Sequence, residues 1–138
     1  MSEPRPTATT PYDQHPAMVR FDWGLAGALS LAPAVDVVVI VDVLSFTTTV
    51  SVAADHGIAV LAYPWRDAGA AAFARARGAA LAVERSAARA GEVSLAPGSI
   101  RRAAPRPPRV VLPSPNGSTI AHAVDALGPD CVAACFRN

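Results

Sequence analysis

The sequence contains no lysine, so all 12 of its basic residues are arginine. A lysine nucleophile, a Schiff base and a phosphate-binding loop ending in Gly-Lys are therefore excluded. No GxGxxG or GxSxG pattern occurs, which leaves the usual dinucleotide-binding turn and the nucleophile elbow unsupported. Leu44 stands two positions after Asp42, where a two-aspartate phosphatase motif would need its second acid.

Charge and long apolar runs are also scarce. Charged residues make up 17% of the chain and the net charge is +1, which does not favour a nucleic acid or a membrane surface as partner. No apolar run approaches the ~20 residues of a membrane span. Residues 1–17 are polar and rich in proline, and they predict a flexible lead-in rather than a signal peptide.

Cysteine occurs twice, at positions 131 and 135. Both fall in the apolar segment CVAACF, which we interpret as a strand. Four strand steps would separate them by about 13 Å, too far for a disulfide. We therefore expect two reduced thiols, which is typical of a cytoplasmic protein.

What the chain does have is an alternation of apolar strands and Ala-rich helices. The clearest strand is predicted at 36–44, where a Val/Ile run suggests burial on both faces. Strands are predicted at 18–22, 36–44, 58–63, 79–83, 110–112 and 131–136. Helices are predicted at 46–55, 67–77 and 118–127, a short helix or turn at 23–31, and a long loop at 86–108. The pattern predicts one α/β domain over 18–138: a mainly parallel sheet with helices on both faces, Rossmann-like and three-layered.

Polar residues follow four of the predicted strands. Because the carboxyl ends of parallel strands share one edge of a sheet, we expect these residues to converge on one pocket. The candidates are Asp42, Thr47, Thr48, Thr49, Glu84, Arg85, Asn116, Gly117, Ser118, Thr119, Arg137 and Asn138.

Each candidate type suits a metal or a phosphate. Asp42 and Glu84 offer hard oxygen ligands for Mg²⁺. The predicted helix starts at Thr47–Thr49 and at Asn116–Thr119 offer backbone N–H groups and hydroxyls to an anion, and Gly117 would permit close approach of the backbone. Arg85 or Arg137 could bind phosphate oxygens bidentately.

Simpler roles stay open for the same residues. Asp42 could cap a strand end, and the threonine hydroxyls could bond within the first turn of their helix. Asn116–Thr119 could be a turn with an N-cap, and Glu84 with Arg85 a solvated ion pair.

The blocks VDVLSFTTTV, VERS, SLAPGS, VLPSPNGSTI and CFRN, in this order, resemble the 2-phosphosulfolactate phosphatase family. The matching positions are Asp42, Thr48, Thr49, Glu84, Arg85, Asn116, Gly117, Thr119 and Asn138. Ser45 departs from the family pattern, which usually has arginine there.

The resemblance implies an α/β fold, a Mg²⁺ requirement and hydrolysis of (2R)-2-phospho-3-sulfolactate to 3-sulfolactate and phosphate, a step of coenzyme M biosynthesis. On this hypothesis Asp42, Glu84 and Asn116 are catalytic, Asp42 and Glu84 hold the metal, and the substrate is a small phosphorylated acid. Family members continue further, so a chain shortened at its C-terminus is expected. Two alternatives remain: a non-catalytic module that binds a small anion, and a homodimer that completes the sheet.

Overall fold

A computed structural model describes residues 12–65 and 67–138. Over these residues the chain forms five α-helices, five strands and a short 3₁₀ turn at Ala32–Ala34. The helices are α1 (Gly24–Leu31), α2 (Phe46–Asp55), α3 (Ala68–Ala76), α4 (Pro97–Arg102) and α5 (Gly117–Asp125). The strands are β1 (Val37–Val41), β2 (Ala59–Tyr63), β3 (Ala80–Leu81), β4 (Arg109–Pro113) and β5 (Asp130–Ala134).

Every strand pairing is parallel, and helices connect or cover the strands. β1 pairs with β5, while β4 lies between β2 and β3. Helix α1 packs on α5, and α2 packs on α4. The predicted α/β class is confirmed, but the strands form two open sheets rather than one.

The core lies where α2 and α4 meet the three-stranded sheet. Val52 of α2, Ile100 of α4 and Val110 and Leu112 of β4 belong to one buried cluster, each at most 1% exposed. Burying such side chains contributes about 1.5–3 kcal/mol each. This cluster fixes the start of α2 relative to the end of β4.

Helix α4 was not predicted. The prolines and glycines of 86–108 indicated an uninterrupted loop, yet Pro97 occupies the first turn of the helix, where its missing N–H needs no partner. Ile100 is fully buried. The helix therefore forms because one apolar side chain fills the core, a contact that local composition does not reveal.

Two further strand predictions were wrong. Residues 18–22 form no strand, and Met18 and Val19 are exposed. β1 is not buried on both faces: Val37, Val39 and Val41 are at least half exposed, and Val132 of β5, which pairs with Val39, is 46% exposed. The reason is that no described element covers this face of the two-stranded sheet.

The N-terminal lead-in is described only in part. Residues 1–11 of the segment predicted to be flexible lie outside the described residues. Gln14 ties the described part of this segment to the chain ahead of α1: its side-chain amide donates to the Phe21 carbonyl (2.6 Å) and accepts from the Phe21 N–H (2.9 Å). Among the described helices, none has the length and apolar character needed to cross a membrane.

Candidate active site

A cleft of about 650 Å³ opens where β1, β3 and β4 end. It is lined by Asp42 after β1, by Glu84 and Arg85 after β3, and by Asn116 after β4. We call it the strand-end cleft. Four of the predicted site residues, spread widely along the chain, thus share one pocket although their strands belong to two sheets.

Asp42 is held by its backbone and leaves its carboxylate available. Its N–H donates to the Thr47 hydroxyl (3.1 Å), and its carbonyl accepts from the Thr47 N–H (2.9 Å). Within 12–65 and 67–138, no group donates a hydrogen bond to the carboxylate. This pattern differs from a strand-end cap, in which the carboxylate itself would bind the turn.

The three threonines of α2 play a local role. Thr47 and Thr49 are fully buried. The Thr49 hydroxyl donates to the carbonyls of Ser45 and Leu95 (both 2.8 Å), and the Thr48 hydroxyl donates to the Val43 carbonyl (2.7 Å). Thr47 and Thr49, predicted to bind substrate, are not among the residues that line the strand-end cleft. Their hydroxyls instead bond to the backbone around the turn that precedes the helix.

Ser45 links α2 to the segment that carries Arg85. Its hydroxyl donates to the Leu95 carbonyl (2.6 Å) and accepts a short hydrogen bond from the Arg85 guanidinium. Ser45 is only 9% exposed. Arg85 is thus held at the cleft beside the start of α2.

The start of α5 supplies Asn116 to the cleft. Asn116 is the N-cap residue, but its side chain makes no capping bond, and no described residue bonds to its amide. The helix begins at the next residue, so its N–H groups and the positive end of its dipole lie at the cleft. Helix α2 begins beside the same cleft, because Phe46, its first residue, also lines it.

The other three residues of the α5 start are engaged elsewhere. Ser118 is fully buried and its hydroxyl donates to the Leu112 carbonyl. The Thr119 hydroxyl donates to the carbonyls of Pro64 (3.2 Å) and Ser114 (3.3 Å). Gly117 is buried, and a Cβ on it would overlap the Phe46 ring. The missing side chain of Gly117, predicted to allow close approach of the backbone to a ligand, allows the starts of the two helices to pack together.

Arg137 and Asn138, predicted to bind substrate, are not among the residues that line the strand-end cleft. Arg137 donates to the Ser51 hydroxyl (2.9 Å) and to the Asp55 carboxylate (2.5 Å) on α2, and its bond and charge lower the pKa of Asp55. Asn138 closes a turn by accepting from the Cys135 N–H (3.0 Å) and donating to the Ala133 carbonyl (3.0 Å). Arg137 binds at the side of α2 because the Asp55 carboxylate, at the end of that helix, lies within hydrogen-bond distance.

Both cysteines are free thiols, as expected. A hydrogen bond from the Arg137 backbone lowers the pKa of Cys135, and hydroxyls of Thr48 and Ser51 add to the effect. Partial burial and the charge of Asp125 raise the pKa of Cys131. The two thiols at the C-terminal end of the chain therefore differ in acidity.

The donor set of the cleft fits a magnesium ion. Two carboxylates, Asp42 and Glu84, line it together with the amide of Asn116, and Mg²⁺ usually takes one or two carboxylates and keeps several waters. Among the residues that the structure describes, no group of three or more His, Cys, Asp or Glu forms a complete metal cage. A water-rich magnesium site is consistent with both observations.

Sequence reasoning missed Ser114 and Leu95, which also line the cleft. Ser114 directly follows β4 in the Pro-Ser-Pro-Asn-Gly segment, so its position at a strand end was a usable signal. Leu95 contributes a backbone carbonyl, for which the sequence carries no signal. No family model, curated protein or solved structure matches the chain.

Proposed function

We propose that this protein is a Mg²⁺-dependent phosphomonoester hydrolase of the 2-phosphosulfolactate phosphatase type, acting on a small acidic phosphate. The observation that carries the proposal is the convergence of Asp42, Glu84, Arg85 and Asn116 on the strand-end cleft. The order of sequence blocks that resembles this family is the second support.

The residues of the strand-end cleft fall into two groups, the acids that would hold the metal and the donors that bind phosphoryl oxygens. Asp42 and Glu84 would hold the metal, which supplies charge neutralisation of the phosphoryl oxygens when bound. Arg85, the amide of Asn116 and the N–H groups at the starts of α2 and α5 bind the same oxygens from the protein side. Preorganised donors of this kind stabilise the charge that develops on a transferring phosphoryl group.

Positioning follows from the fold. Arg85 is oriented by its bond to the Ser45 hydroxyl, and Asp42 by the backbone bonds to Thr47. Each group is therefore placed before the substrate binds, so little reorganisation is needed in the transition state. The free thiols are in keeping with the cytoplasmic location proposed for such an enzyme.

A second candidate function is binding of a small anion without turnover. The observation that favours it is that Thr47 and Thr49 are fully buried and that the Thr49 hydroxyl donates to backbone carbonyls, which leaves fewer donors for a transferring phosphoryl group. In this case the same cleft would bind phosphate-bearing ligands with Arg85 and Asn116. Turnover separates the two functions.

The test measures phosphate released from a panel of phosphorylated hydroxy acids, including 2-phospho-3-sulfolactate, with and without Mg²⁺. We expect Mg²⁺-dependent release that falls at least about a hundredfold in Asp42→Asn and Asn116→Ala, as is typical when a transition-state contact is removed. Asp125→Asn is the matched control, since Asp125 is exposed and lies at the opposite end of α5 from Asn116. Release that is equal in wild type and Asp42→Asn would refute the enzyme; calorimetric binding of phosphate esters without release would favour the second candidate.

A further inference from the structure

A second cleft, of about 260 Å³, adjoins the strand-end cleft. Arg89 and Arg102 line it, and Arg85 lines both clefts. We call it the arginine cleft. Three guanidinium groups around so small a space produce a strongly positive potential in a molecule whose net charge is only +1.

The one acid among the described residues that line this cleft offsets only part of the charge of the three arginines. Glu92 is the carboxylate among the lining residues, and it accepts a hydrogen bond from the Arg89 backbone N–H (2.8 Å). Within 12–65 and 67–138, the guanidinium groups of Arg89 and Arg102 have neither a hydrogen bond nor an ion pair. By contrast, the Arg137 guanidinium is paired with Asp55.

The wall that carries these arginines is internally braced. The buried Ser99 hydroxyl accepts from the Ser94 N–H (2.9 Å) and donates to the Ala96 carbonyl (2.7 Å), which fixes the turn into α4. Arg102 folds back along that helix, so that its Nη1 atom would lie 3.1 Å from an ideal Cβ placed on Gly98. The cleft is therefore shaped by the fold, with charged groups held at its edge.

We propose that the arginine cleft binds a second oxyanion of the substrate, a carboxylate or an equally small acidic group, while the phosphoryl group lies in the strand-end cleft. Arg89 and Arg102 are then specificity-determining residues and Arg85 connects the two subsites. The inference rests on the proposed function, because it assumes that the phosphoryl group occupies the first cleft. Planar guanidinium groups suit this role, since they bind carboxylates bidentately.

The experiment compares two phosphate esters that differ in one group. 2-Phosphoglycolate carries a carboxylate where ethyl phosphate carries a methyl group, and the homologues with one and two further methylenes vary the reach. We expect wild type to prefer the carboxylate-bearing member of at least one pair by about tenfold or more in KM, the usual size for a charge-assisted hydrogen bond. The Arg89→Gln, Arg102→Gln double variant should lose that preference, because its kcat/KM should fall more for the carboxylate-bearing esters than for ethyl phosphate.

Arg101→Gln is the matched control, because Arg101 is the neighbouring exposed residue of α4 and does not line the cleft. Calorimetric binding of the same esters is measured in parallel, so the subsite is tested even if no ester is hydrolysed. Loss of the carboxylate preference in binding supports the subsite whether or not turnover occurs. An unchanged preference in the double variant, at every chain length, would overturn the subsite and leave the proposed function standing.

Discussion

Gly117 lies directly against the ring of Phe46, so the first residue of α5 and the first residue of α2 are in contact. No side chain fits between them, because a Cβ on Gly117 would overlap the ring. This contact holds the two helix starts side by side at the strand-end cleft. Both positive helix ends can therefore act on the same anion.

Gly117→Ala should force these helix starts apart. We expect a loss of about 1–3 kcal/mol in the free energy of unfolding, the usual cost of overpacking, together with reduced phosphatase activity. Denaturant unfolding measures the first effect. Phe46→Ala should cost more by itself, about 3–5 kcal/mol, but it removes the two ring atoms nearest to the Cβ added at position 117 and leaves only the Phe46 Cβ, 2.7 Å away. Adding Gly117→Ala to Phe46→Ala should therefore cost less than adding it to wild type, and strict additivity would contradict the proposed contact.

Ser45→Ala should loosen the segment that carries Arg85. The variant loses the bond to the Leu95 carbonyl and leaves Arg85 without its acceptor, while Thr49 still bonds to Leu95. We expect about 1 kcal/mol of destabilisation and a higher KM for phosphate esters. Thermal unfolding and steady-state kinetics test this against Ser86→Ala, which changes an exposed serine of the same cleft. Equal effects of the two substitutions would argue against the Ser45 bridge.

The pair of Arg137 and Asp55 should make stability depend on pH at the acidic end. Arg137 lowers the pKa of Asp55 below its usual 3.8, so folding favours the ionised carboxylate. The stabilisation is therefore complete at neutral pH and disappears as the pH falls through the lowered pKa. Unfolding of wild type and Arg137→Gln should differ at neutral pH and converge well below the usual pKa of 3.8. Arg106→Gln, at an exposed position, provides the comparison, and a gap that persists in strong acid would count against this pairing.

The two thiols should react at different rates. Because Cys135 has the lowered pKa and Cys131 the raised one, more of Cys135 is thiolate at neutral to mildly alkaline pH, and thiolate is the reactive form. Iodoacetamide should label Cys135 several times faster, as followed by peptide mass spectrometry. Arg137 contributes through its backbone, so Arg137→Gln should leave the ratio largely intact. Faster labelling of Cys131 would show that access, not acidity, governs the reaction.

The helix boundaries and the strand-end residues could be predicted because their causes are local. Helix α2 begins and ends where the sequence indicated, and Asp67, predicted as the start of α3, accepts a capping bond from the Ala70 N–H (3.0 Å). Asp42 and Asn116 were predicted to converge because each follows a parallel strand, and they do share the cleft, although their strands belong to different sheets. Periodicity and turn residues were enough for these features.

The errors share a different cause, since each depends on which distant group is nearby. Ile100 orders α4 by filling the core, and Asp55 draws Arg137 to the side of α2. The threonine hydroxyls were predicted to bind substrate from residue type, but Thr47 and Thr49 are buried and their hydroxyls bond to the nearby backbone. Arg89 and Arg102 were overlooked because neither follows a strand; only the fold brings them beside Arg85.

One carbonyl, that of Leu95, accepts hydrogen bonds from both Ser45 and Thr49. The stretch running from Glu84 to this carbonyl carries two acids and two guanidinium groups of the two clefts, and the shared oxygen fastens it to the first turn of α2. If the stretch swings outward, both bonds break together and Arg85 loses its acceptor. A ligand too bulky for the cleft would have to displace this stretch, and the displacement would separate the side chains that form the cleft. Only a ligand small enough to enter without that displacement contacts all of these side chains.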